Sequence, residues 1–163
     1  MDFHIGDPVM HWTFGLGQIV GLEERMISGQ TTLYYDVKVH DLTVWVPADG
    51  NLESRLRPPT SAVGFEHLFA ILAGSGEPLP DDHQVRKARL VEQLSDGRAE
   101  SLCRVVRDLS ALRQGKPLNY SDQYLLKRVQ TALLGEWGFS LSISAFQAES
   151  DLNSLLNTGL AGD

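Results

Sequence analysis

Few side chains in this 163-residue chain could carry out a reaction, and their spacing argues against a catalytic centre. Five histidines, His4, His11, His40, His67 and His83, are scattered, and no two stand in the H-x-x-x-H spacing that puts two imidazoles on one metal. Gly15-Leu16-Gly17 lacks the third glycine and the lysine of a phosphate-binding loop, and it lies in a strand turn, not ahead of a helix. Asp7 with Glu23 or Glu24 could mimic an acid/base pair, but carboxylates at the edge of a small sheet are ordinarily solvated. The single cysteine, Cys103, has no partner for a disulfide or a CxxC zinc site, which agrees with a reducing compartment and a buried helix position. These patterns point away from an enzyme, a resident metal or a cofactor.

Binding chemistry is better represented. The net charge of −7 argues against a protein that coats nucleic acid indiscriminately, but the charge is unevenly spread. Residues 1–75 hold four basic and nine acidic residues, whereas residues 83–128 hold ten basic and five acidic ones, a local +5. Arg86, Lys87 and Arg89 fall close together, and Lys127 and Arg128 are adjacent. A basic face within an acidic protein would meet phosphates as positioning contacts, with no signal for base-sequence reading.

Two kinds of element must position these residues. From Phe3 to Pro47, apolar β-branched and aromatic residues (Phe3, Ile5, Val9, Ile19, Val20, Val37, Val39, Val44, Val46) largely alternate with polar or small ones, punctuated by glycines and by Ser28-Gly29-Gln30. That pattern predicts a small β-barrel. Arg57-Pro58-Pro59-Thr60-Ser61 stops the last strand and offers a helix cap, which places a boundary between domains 1–60 and 61–163. Beyond it the period lengthens to about 3.6. The predicted stripes are Phe65, Leu68, Phe69 and Leu72; Val85, Leu90, Val91 and Leu94 after a cap at Asp81 or Asp82; and Leu102, Val105, Val106, Leu109 and Leu112. Leu125, Leu126, Val129, Leu133 and Trp137 form the next, in a helix begun by Ser121. A last helix over 145–157 makes five, followed by a frayed tail from Gly159. The fold class is α+β: a small barrel followed by an all-α domain. No stretch approaches the roughly 18 apolar residues of a membrane span, and Met1-Asp2-Phe3-His4 is unlike a signal peptide, so the expected location is the cytoplasm, away from membranes.

The barrel segments Phe3-His4-Ile5-Gly6-Asp7-Pro8-Val9, Gly15 to Glu24, Tyr34-Tyr35-Asp36-Val37 and Val44-Trp45-Val46-Pro47 resemble the amino-terminal domain of the CarD family of bacterial transcription regulators. That domain is an SH3/Tudor-like module shared with transcription-repair coupling factors. Arg104-Val105-Val106-Arg107-Asp108-Leu109 and Leu133-Leu134-Gly135-Glu136-Trp137 are similar to the family's V-V-R-D-L and L-x-x-E-L segments, in the same order. The resemblance implies a barrel docked on the RNA polymerase β subunit and a helical domain laid on promoter DNA at the upstream edge of the bubble. It implies stabilisation of the open complex without a catalytic step, by a protein expected to act as a monomer.

Carried over by position, the resemblance makes Arg25 a polymerase contact. Trp45 stands where the family's V-x-V-P strand often has arginine; it would either pack under the barrel's own loop or anchor the interface. His83 falls where many members carry a tryptophan that wedges into the minor groove, and it lacks that wedge's apolar area. Arg86, Lys87 and Arg89 would contact phosphates; Gln123 replaces a family lysine, with Lys127 and Arg128 one turn on. The missing wedge and the acidic balance leave a second reading, a polymerase-binding adaptor without DNA contact.

Overall fold

The computed structural model describes residues 2–161, which divide into two compact units between Pro59 and Thr60. In the first, β1 (Pro8–His11), β2 (Gly15–Ile27), β3 (Gln30–Val39), β4 (Leu42–Pro47) and β5 (Leu56–Arg57) form one antiparallel sheet in the order β4-β3-β2-β1-β5. A single helical turn, α1 (Leu52–Arg55), leads into β5. The alternation read from the sequence sends Val9, Ile19, Tyr35, Val37, Val39 and Val46 to one buried face, closed by Phe3, Leu52 and Leu56. Phe3 to Ile5 do not join the sheet: Phe3 turns inward and bonds the Tyr35 hydroxyl through its N–H, while Ile5 lies exposed before the Gly6 turn. Val20 falls at an irregularity in the β2/β3 register and is turned outward. Residues 22–27 and 30–33 run on past their neighbouring strands as a two-stranded arm.

The second unit contains α2 (Ala62–Leu72), α3 (His83–Leu94), α4 (Ala99–Gly115), α5 (Tyr120–Leu141) and α6 (Ala145–Ala161). Ser61 and Asp82 cap α2 and α3 by accepting from first-turn N–H groups. For α5 the cap is Asn119, two residues before the predicted Ser121, because the Asn119 carboxamide oxygen reaches the Asp122 N–H. Leu90, Leu109, Leu133 and Leu152 from four helices meet in one core with Phe65 and Trp137. Cys103 is buried on α4. The α3 stripe differs from expectation: Val85 and Val91 face solvent, and Arg86 lies inside with Leu90 and Leu94, four residues apart in turn. The tail also differs. Helix α6 continues through Ala161 because Gly159 packs onto the Gly74 carbonyl, where a β-carbon would have no room. Among the described residues, no helix is long and apolar enough to cross a membrane.

Candidate functional site

On the outer face of the sheet, Arg25 and Trp45 come together. Arg25 reaches from β2 across β3, and its guanidinium carbon lies 3.6 Å from the centroid of the Trp45 ring on β4. Its Nη2 donates to Glu23 Oε2 at 2.6 Å and to Asp36 Oδ1 at 3.2 Å. Asp36 is the direct cross-strand partner of both Gly21 and Trp45. A β-carbon at position 21 would sit 2.7 Å from Asp36 Oδ2, so glycine there leaves the carboxylate space beside the arginine. Arg25 Nε is buried without a partner under the indole. Trp45 is 50% exposed, which rules out packing beneath a loop and leaves its outer surface open. Arg25 is therefore less a free cation than the support that holds an aromatic side chain flat, attracted by the ring's quadrupole. Met26, Ile27 and Leu33 on the arm add exposed apolar area to this unit.

On β1, which lies between β2 and β5, His11 Nδ1 accepts from the Thr13 and Phe14 N–H groups, both at 3.1 Å. Burial lowers its pKa to about 4, so the ring stays neutral and both acceptor bonds persist. This histidine orders a turn, and the described residues contain no cluster of three His, Cys, Asp or Glu side chains able to hold a metal.

The helical unit sorts the predicted DNA residues differently from the sequence. Arg86 is only 4% exposed and is clasped by Asp122, with Nη2 to Oδ2 at 2.6 Å and Nε to Oδ2 at 3.1 Å. Its Nη1 donates to the Pro80 and Asp81 carbonyls at 3.0 and 3.2 Å. A guanidinium so enclosed has no surface to offer a phosphate, and Arg86 leaves the DNA set. Lys87 and Arg89 are both exposed, but two residues apart on a helix they point to different flanks. His83 is exposed at the first position of α3 and shares a flank with Lys87, four residues on. The adjacent cap Asp82 stays below the ordinary carboxylate range chiefly because the Val85 N–H bonds it. Lys127 is exposed and Arg128 half-buried on α5.

The V-V-R-D-L segment is scaffolding. Val105, Val106 and Leu109 are core, Arg107 Nε donates to Asp108 at 3.0 Å, and buried Asp108 accepts the Glu77 N–H of the connector at 2.9 Å. Glu136 is likewise buried and accepts the Thr60 N–H at 2.7 Å. Two side chains that the sequence reading passed over stand out on α5: Tyr120 and Tyr124, 87% and 68% exposed. Their position opposite the apolar stripe of that helix was the available signal. Beside them a groove of about 740 Å³ runs between α4, α5 and α6, with Arg113, Gln123 and Lys127 on its walls.

Comparison with known proteins covers both units. The family model described as CarD-like/TRCF RID domain matches residues 3–59, and the one described as CarD, C-terminal domain matches residues 67–153. The chain is 27% identical over 151 residues to the "Putative transcription factor YdeB" of Bacillus subtilis (strain 168), an alignment spanning 91% of this chain and 98% of that protein. With both family models matched in order across the sheet and the helices, the chain belongs to the CarD family of transcription regulators.

Proposed function

We propose that this protein regulates transcription by docking the outer face of its sheet, centred on Trp45 and Arg25, on the β subunit of RNA polymerase, and by holding its helical unit against promoter DNA to prolong the open complex. The observation that carries the reading is the open Trp45 ring braced by Arg25, in the domain that matches the CarD-like/TRCF family model. Exposed tryptophans supported from behind are the side chains that dominate protein interfaces, since they bury large area at low entropic cost. His83, Lys87, Arg89, Lys127 and Arg128 are the DNA-facing candidates, as nonspecific phosphate contacts. The enclosure of Arg86 favours the alternative, a polymerase-binding adaptor without DNA contact, by removing one cation from the face.

The test is binding of the full chain to a β-subunit fragment. Because Trp45 is half-exposed, Trp45→Ala should cost the fold only about 1 kcal/mol, the scale of an exposed cation–π pair, while weakening docking by about 2 kcal/mol or more. Undiminished binding by a folded Trp45→Ala variant would remove this face from the interface. If docking holds but forked promoter DNA adds nothing to the affinity of the polymerase complex, the adaptor reading replaces the DNA-assisted one.

A further inference from the structure

We infer that the outer face of α5 is a platform for single-stranded DNA, on which unpaired bases stack against Tyr120 and Tyr124 while Lys127 and Arg128 take the phosphates on either side. This rests on the promoter-DNA reading above and deepens it by naming the strand state that the helix selects.

Three observations support it. First, tyrosine rings are usually at least partly covered, yet these two stand 87% and 68% exposed, one helical turn apart. Four residues advance a helix by about 6 Å. That is close to the roughly 7 Å that a planar base needs between two rings at about 3.4 Å from each. Second, the cations lie where a strand passing over the rings would place its backbone. Lys127 and Arg128 follow Tyr124 by three and four residues and therefore flank it. Among the described residues, the ion pairs of this unit (Arg86–Asp122, Arg98–Glu100, Arg107–Asp108 and Lys116–Asp81) leave both of them uncommitted. Third, α5 shows no exposed carboxylate although the protein carries a net −7. Its two acidic residues, Asp122 and Glu136, are both buried.

The groove alongside gives the sugar-phosphate chain a lane past Arg113 and Gln123, with Glu149 of α6 the one acid lining it among the described residues. Exposed rings flanked by cations on a helix with no exposed carboxylate match the stacking-and-funnel chemistry of single-strand binding. Duplex DNA hides the base faces that the tyrosines would use, so it should be the poorer ligand.

The experiment measures fluorescence anisotropy of a labelled oligothymidine and of a duplex of the same length, titrated with the full chain and its variants. The parent should prefer the single strand. Tyr124→Ala and Tyr120→Ala should each weaken single-strand binding about tenfold, while Tyr124→Phe, which keeps the ring, should bind like the parent. Lys127→Gln should lower the log-affinity versus log-salt slope on the single strand by about 0.7. Equal affinity for the two DNA forms, alanine variants that bind like the parent, or a phenylalanine variant as weak as alanine would overturn the platform. The fold is not at issue, because both rings are outside the core. All variants are also assayed for β-fragment binding. Loss of the single-strand effect with docking retained defeats this inference alone, and loss of parental docking defeats the polymerase reading.

Discussion

Arg86 shows how burial reverses the meaning of a charged residue. Its guanidinium and the Asp122 carboxylate are both withdrawn from water, and each is the other's compensation. Arg86→Ala leaves Asp122 buried without its cation and should cost about 3–5 kcal/mol in urea denaturation. DNA affinity of the protein that remains folded should be unchanged. His11 makes a second residue-scale prediction. Its folded pKa is lowered to about 4 from 6.5, so across that window the unfolded chain binds more protons than the native one. Stability from this group is present in full above 6.5 and is lost as pH falls toward 4, by about 2–3 kcal/mol. Thermal denaturation from neutral pH down to about 4 should show that slope. His11→Gln should flatten it, because an amide oxygen can accept one of the same N–H groups without titrating.

At the level of elements, capping and periodicity set most boundaries, and close packing sets the rest. Ser61 and Asp82 start their helices for the local reason that a short oxygen-bearing side chain satisfies first-turn N–H groups. The last turns of α6 are held by a contact far away in sequence, Gly159 against the backbone of Gly74 after α2. Gly159→Ala would raise helix propensity in isolation but must push two backbones apart here. A net loss of about 2 kcal/mol in thermal or urea unfolding is expected, the scale of overpacking a core. A neutral result would mean that the two segments separate without penalty.

For the whole molecule, the division between an acidic sheet unit and a helical unit carrying the basic segment fits the proposal that DNA is met only after tethering to polymerase. With a net charge of −7, association with free DNA should be weak and steeply salt-dependent. On the proposed reading, docking would place the helical unit at the high effective concentration that a linked site provides. Open-complex lifetime should therefore rise at low protein concentration with the parent chain and fail to rise with Trp45→Ala. A large excess of the variant should restore part of the effect. Full activity of the variant at low concentration would show that the sheet unit is not the tether.

The α+β class, the order of barrel then helices, the five helical segments and the burial of Cys103 were all legible in the sequence, because each follows from local alternation, 3.6-residue periodicity and cap chemistry. Only the tertiary structure decided which polar and aromatic groups belong outside. Val85 and Val91 read as core by type, yet Arg86 took their place because Asp122, 36 positions away, supplies its counter-charge. The stacking of Arg25 on the Trp45 ring came from strand register across β2, β3 and β4, which local pattern does not reveal. Tyr120 and Tyr124 lie opposite a stripe that the sequence shows, but the extent of their exposure was set by the elements packed around α5. Periodicity is a property of neighbouring residues, whereas the desolvation of a charge or a ring depends on every element packed around it.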